Sequence, residues 1–87
     1  MKISVSRTGG LAGLTRTWTV LVDDQPDQDE WMSLLSSLPW GSRHRELPQP
    51  DRYIYVIRYS RHRITLPEQR LEGPWRELVD RVRAVAE

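Results

Sequence analysis

The sequence contains no cysteine, no long apolar run and no large excess of charge of either sign. The first absence excludes a disulfide framework and a thiolate metal cage, and it suits a reducing compartment. The opening residues MKISVSRT also lack the apolar stretch of a secretory signal, so the expected location is cytoplasmic. The second absence excludes a spanning helix, and no membrane contact is expected. Glycine is sparse at five residues, without a period of three, and there is no low-complexity tract, which excludes collagen-like and disordered classes. Thirteen basic residues against 12 acidic ones give a net charge of +1, too even a balance for a typical nucleic-acid binder. The charge is unevenly placed: residues 1–30 sum to −2, residues 31–70 to +4 and residues 71–87 to −1.

What is present is one domain's worth of chain, residues 1–87, with 38% hydrophobic residues and room for one modest core. Ile3 and Val5 alternate with Lys2, Ser4 and Ser6, the period-two pattern of a half-buried strand. After GGLAG the alternation resumes from Leu14 to Val22, with Trp18, Val20 and Val22 on one side and Thr15, Thr17 and Thr19 on the other, which predicts an antiparallel hairpin. Asp27 followed by Glu30 has the spacing of a capping box. Trp31, Leu34, Leu35 and Leu38 then form a helical stripe that Pro39 ends. The proline-rich segment PWGSRHRELPQP, residues 39–50, reads as a long surface loop.

RYIYVIRYS is dense in β-branched and aromatic residues, with Tyr53, Tyr55, Ile57 and Tyr59 on one face and Ile54 and Val56 on the other, as for a central strand. A turn at Ser60 to His62 leads to Ile64 and Leu66, a second hairpin, and Pro67 ends the sheet. Gly73 and Pro74 open a last helix with Trp75, Leu78, Val79, Val82, Val85 and Ala86 on its inner stripe. Glu77 with Arg81, and Arg76 with Asp80, are spaced to pair on its outer side. The order ββαββα predicts an α+β domain, a four-stranded, mostly antiparallel sheet with two helices packed on one face.

These residues offer little to an enzyme. The only histidines are His44 and His62, and both lie in Arg-rich segments, where neither is placed beside an evident catalytic partner. There is no H-E-x-x-H, cysteine nucleophile, G-x-S-x-G elbow or Walker loop. The plain reading of both histidines is solvated loop residues; a zinc site from His44, His62 and Glu46 is the weaker alternative. The triplets Arg43-His44-Arg45 and Arg61-His62-Arg63, with tyrosines 53, 55 and 59 as exposed stacking platforms, allow a patch for nucleic acid or another acidic partner. The competing reading makes them solubilising charges around a sheet whose tyrosines are core. Trp18, Trp31 and Trp75 are expected in the core, whereas Trp40 is either a lid over its edge or an exposed contact.

The segment GGLAG is the most informative. Its three glycines permit positive φ and close backbone approach, yet Leu11 and Leu14 place apolar side chains on a tip that is ordinarily polar. Either Leu11 enters a partner's pocket or the loop folds back to cap the core.

MKISVSRTGGLAGLTRTWTV near the start and ITLPEQRL before a short amphipathic helix together resemble the emfourin family, small bacterial inhibitors of protealysin and other thermolysin-like zinc metallopeptidases. The likeness spans nearly the whole chain and rests chiefly on the Arg-x-Gly-Gly-apolar-Ala-Gly hairpin and the Leu-Pro-Glu-Gln turn. The resemblance implies a non-enzymatic protein that binds a zinc metallopeptidase and obstructs its active-site cleft. Such proteases prefer a large apolar residue just after the scissile bond, so residue type nominates Leu11, flanked by Gly9, Gly10, Ala12 and Gly13 with Leu14 beside it, as the anchor. Arg7 and Arg16 lie near the hairpin base, to contact acidic residues around a cleft or to close the sheet edge. The loop from Trp40 to Pro50 is a second contact region if it lies on the same side. No cofactor or metal is expected, and the free protein is expected to be monomeric. The alternative is a small module that binds nucleic acid or an acidic partner through its Arg/His loops.

Overall fold

Alternation along four segments sets the sheet. Ile3 and Val5, Trp18 and Val20, Tyr55 and Ile57, and Ile64 and Leu66 are all buried, and the two residues of each pair are two positions apart. Each segment therefore turns one apolar face the same way. The computed structural model describes residues 1–9, 13–41 and 53–86. In it β1 (Lys2–Gly9) pairs with β2 (Leu14–Leu21) and with β3 (Tyr53–Tyr59), and β3 pairs with β4 (His62–Pro67). Every pairing is antiparallel and the order is β2-β1-β3-β4, so β3 is central, as its two-sided apolar pattern predicts. Helices α1 (Gln28–Ser37) and α2 (Pro74–Ala86) complete the ββαββα order. β2 and β3 both run opposite to β1, hence parallel to each other, and a parallel connection needs a crossover. The segment that contains α1 supplies it.

One side of the sheet meets the helices and the other is open. On the open side, serine and threonine hydroxyls pair across β1 and β2: Ser4 with Thr19 at 3.3 Å, Ser6 with Thr17 at 3.2 Å and Thr8 with Thr15 at 3.0 Å. On the covered side, Trp31, Leu35 and Leu38 of the first helical segment and Trp75, Leu78, Val79 and Val82 of α2 close the core, with Leu34 half-buried beside it. Val85 and Ala86 leave the predicted stripe for solvent, because the helix by then has run past the sheet's buried rows. Trp18, Trp31 and Trp75 are core residues, as expected.

Three local expectations are corrected. Asp27 is the N-cap of α1, but its side chain makes no capping hydrogen bond. Its carboxylate instead accepts from Trp31 Nε1 at 3.0 Å and from Arg81 at 3.1 Å, so the residue ties the two helices together. Arg81 accordingly does not pair with Glu77 on α2; it reaches α1, where Glu30 also lies 3.5 Å away. Arg76 and Asp80 do pair, at 3.4 Å. The second hairpin turns at Ser60 and Arg61, with Ser60 at φ 54°, and His62 belongs to β4 opposite Tyr59.

Candidate functional site

The first hairpin stays in register to its end, where Gly9 pairs with Leu14. Gly9 has φ 126° and Gly13 has φ 63°, conformations that L side chains rarely adopt, so these glycines set the directions in which the chain leaves β1 and enters β2. Gly10, Leu11 and Ala12 lie outside the described residues. Leu14, at the foot of the tip, is 74% exposed, the most exposed large apolar side chain among the described residues. A Cβ at Gly13 would meet nothing within 4 Å, so only the backbone conformation resists a side chain there. Gly13→Ala is expected to cost about 1 kcal/mol, roughly 4–8 °C in Tm by thermal circular dichroism.

One step below the tip, Arg7 and Arg16 face each other across β1 and β2 on the helix side of the sheet. Like charges in direct opposition repel. Here buried Trp18 lies beneath both: the guanidinium of Arg7 is 5.2 Å from its ring, that of Arg16 is 5.1 Å away, and Arg83 of α2 approaches to 5.1 Å. Arg7 also lies 4.5 Å from the Tyr53 ring. Each contact of this kind contributes about 0.5–1 kcal/mol. The base of the hairpin is thus a cationic cluster braced on an aromatic platform. Sequence reasoning assigned Trp18 to the core alone; the missed signal is that Arg16 and Trp18 share a strand face, and that Arg7 follows Val5 on the matching face of β1.

Beside this cluster is a cavity of about 230 Å³ lined by Arg7, Tyr53, Glu68, Arg76, Asp80 and Arg83, among others. It is smaller than the ~300–1,000 Å³ usual for small-molecule sites. Its acids and bases are mixed, and Arg76 and Asp80 neutralise each other. Among the described residues no group of three or more His, Cys, Asp or Glu is placed to hold a metal ion. No helix among them is long and apolar enough to cross a membrane.

Trp40 does not join the hairpin. Its indole Nε1 donates to the Leu35 carbonyl at 2.9 Å. Its ring lies 5.1 Å from Trp75, 5.1 Å from His62 and 5.9 Å from Tyr59. It is a lid over the core at the opposite end of β3, some ~20 Å from Tyr53 by strand rise. The chain leaves the described residues after Gly41, close to that lid, and re-enters at Tyr53, which pairs with Gly9. Arg43, His44, Arg45 and Glu46, named for a phosphate patch and a zinc site, lie outside the described residues.

The stacking-platform reading of the tyrosines is also corrected. Tyr55 is buried, and Tyr53 and Tyr59 are half-buried on the covered side, because alternation places them in phase with Ile57. The triplet of residues 61–63 is split by the same geometry: Arg61 is in the turn, His62 stacks on Trp40, and Arg63 points to the open side with Thr65.

Fold and site together define a small two-layer α+β domain whose distinguishing chemistry is on its surface rather than in a pocket. The chain belongs to the Emfourin family, whose model matches residues 5–83. That membership agrees with a protease-inhibitor-like role and with a protein that is not an enzyme. No curated protein and no solved structure matches the chain.

Proposed function

We propose that this protein inhibits a thermolysin-like zinc metallopeptidase by laying its glycine hairpin over the active-site cleft. The observation that carries the reading is the hairpin end itself: a tip bracketed by two positive-φ glycines, with Leu14 exposed at its foot and Arg7 and Arg16 braced below on Trp18. A loop whose ends are held in advance loses less conformational entropy on binding, and its cut ends separate less readily. Leu11 is the anchor for the protease's apolar pocket, and Leu14 adds apolar contact beside it. Arg7 and Arg16 meet acidic residues at the cleft rim. The loop from Trp40 to Pro50 adds a second contact. Trp40, at the start of that loop, packs on Trp75 and His62 and leaves part of its surface for that contact. Membership of the Emfourin family supports an inhibitor, and the absence of cysteine suits a cytoplasmic protein that meets its target there, as a free monomer.

The test is a titration of a thermolysin-like protease with this protein, following hydrolysis of a small peptide substrate. Stoichiometric loss of activity that added zinc does not restore is the expected outcome, since chelation would be reversed by the metal. Full activity at a large excess of the protein would remove the proposal for that protease.

A further inference from the structure

A second surface, separate from the hairpin end, carries charge that the fold leaves unanswered. Of the described cations, Arg7 lies over aromatic rings, Arg76 and Arg81 pair with carboxylates, and Arg16, Arg70 and Arg83 are likewise engaged. The remaining four are Lys2, Arg58, Arg61 and Arg63, and among the described residues no carboxylate pairs with their side chains. All four gather at one end of the sheet. Lys2, Arg58 and Arg63 lie on the open face, and Arg61 is in the turn joining β3 to β4.

Arg58 and Arg63 sit directly opposite each other in the β3–β4 register, and Ser4 is opposite Arg58 on its other side. Two like charges in direct opposition destabilise an antiparallel pair. Unlike Arg7 and Arg16, these two have no aromatic ring beneath them, because alternation sends Tyr55, Ile57 and Tyr59 to the covered side. A shallow depression of about 500 Å³ lies alongside, lined by Lys2, Ser4, Ser6, Arg58, Tyr59 and Ser60 among others. On the same face Val56, at the middle of β3, and Ile54, toward its hairpin end, are only half-buried. The strand residues of this face include no acid, and Asp23, just after β2, is engaged with the Met1 amino group.

We propose that the open face docks an acidic protein surface, with carboxylates entering between Lys2, Arg58 and Arg63 and an apolar patch resting on Ile54 and Val56. Charge complementarity selects the partner's sign. A half-buried aliphatic pair, with cations at the other end of the face, matches a protein interface. Nucleic acid fits less well, because the one aromatic residue lining the depression, Tyr59, is already stacked on Trp40, and the whole chain carries only +1. The proposal stands whether or not the hairpin inhibits a protease.

The experiment uses the isotope-labelled protein with a short oligoglutamate as carboxylate probe and an oligothymidylate of equal charge as phosphate probe, read by amide chemical shifts. Oligoglutamate is expected to move the signals of Lys2, Ser4, Arg58 and Arg63, with affinity falling as salt rises. Arg63→Glu converts the repelling pair into an attracting one, so its Tm is expected to rise by about 2–8 °C while binding weakens. The double variant Arg58→Glu/Arg63→Glu restores like-charge opposition, so its Tm should return to about the parent value while binding falls about tenfold or more. Shifts confined to the Arg7, Arg16 and Arg83 cluster, no shifts at all, or tighter binding of the oligothymidylate would overturn the assignment.

Discussion

Leu11→Asp is expected to weaken inhibition of a thermolysin-like protease by at least about 30-fold, equivalent to about 2 kcal/mol. An apolar side chain in a desolvated pocket is the usual centre of an interface, and an aspartate there forfeits the apolar contact while burying a carboxylate without a partner. The substitution lies in sequence beyond Gly9 and Leu14, the last pair of the hairpin register, so the Tm should stay within a few degrees of the parent. That separates a lost contact from a lost fold. Leu14→Asp supplies the comparison: Leu14 stands at the foot of the tip rather than between the glycines, and a smaller loss is expected from it. Undiminished inhibition by Leu11→Asp would place the anchor elsewhere on the hairpin end, with residues 42–52 the next segment to vary.

The second large effect concerns the fold. Trp31→Ala is expected to remove about 3–5 kcal/mol, against a total stability of roughly 4–13 kcal/mol for a chain of this length. Trp31 has no exposed surface, its Nε1 donates to Asp27, and Arg81 lies 5.5 Å from its ring while binding the same carboxylate. Truncation therefore opens a cavity and also cuts one strand of the tie between α1 and α2. A drop in Tm of at least about 15 °C, or loss of a cooperative transition, is the expected melt. Trp31→Phe retains most of the packing, leaves Asp27 to Arg81 alone, and should fall between the two. A Trp31→Ala protein melting within a few degrees of the parent would show that α1 contributes little to the core.

Most of the architecture is legible along the chain because its causes are local. Period two in residues 2–6, 14–22 and 53–59 reports which strand face is buried, and period 3.6 after Asp27 and Gly73 does the same for the helices. Glycines at 9, 10 and 13 mark the hairpin tip. Alternation even predicts β3 as central, since Ile54 and Val56 are too apolar for an edge. The misreadings share a different cause. Asp27 has the spacing of a capping box, and Arg81 has a neighbour four residues before it, but each finds a stronger partner 54 residues away. A charge-assisted bond across a helix pair, half shielded from water, outcompetes an exposed contact within one helix.

The candidate sites divide in the same way. The hairpin is a continuous stretch, so its glycines and leucines can be read directly. The aromatic brace is legible only in part: Arg16 and Trp18 share a strand face, but bringing Arg7 and Arg83 over the same ring needs β1, β2 and α2 assembled. The placing of Trp40, which leaves the hairpin for Trp75 and His62 at the other end of the sheet, cannot be read directly. The opposition of Arg58 and Arg63 follows from the register of the second hairpin, and their lack of carboxylate partners among the described residues from where the other described elements pack. By itself, then, the sequence determined the strands and helices, their buried faces and the glycine hairpin, because those depend on residues a few positions apart. Only the tertiary structure decided which charges are neutralised, which are stacked on aromatics and which face solvent unmatched, because electrostatic partnership depends on distance in space rather than along the chain.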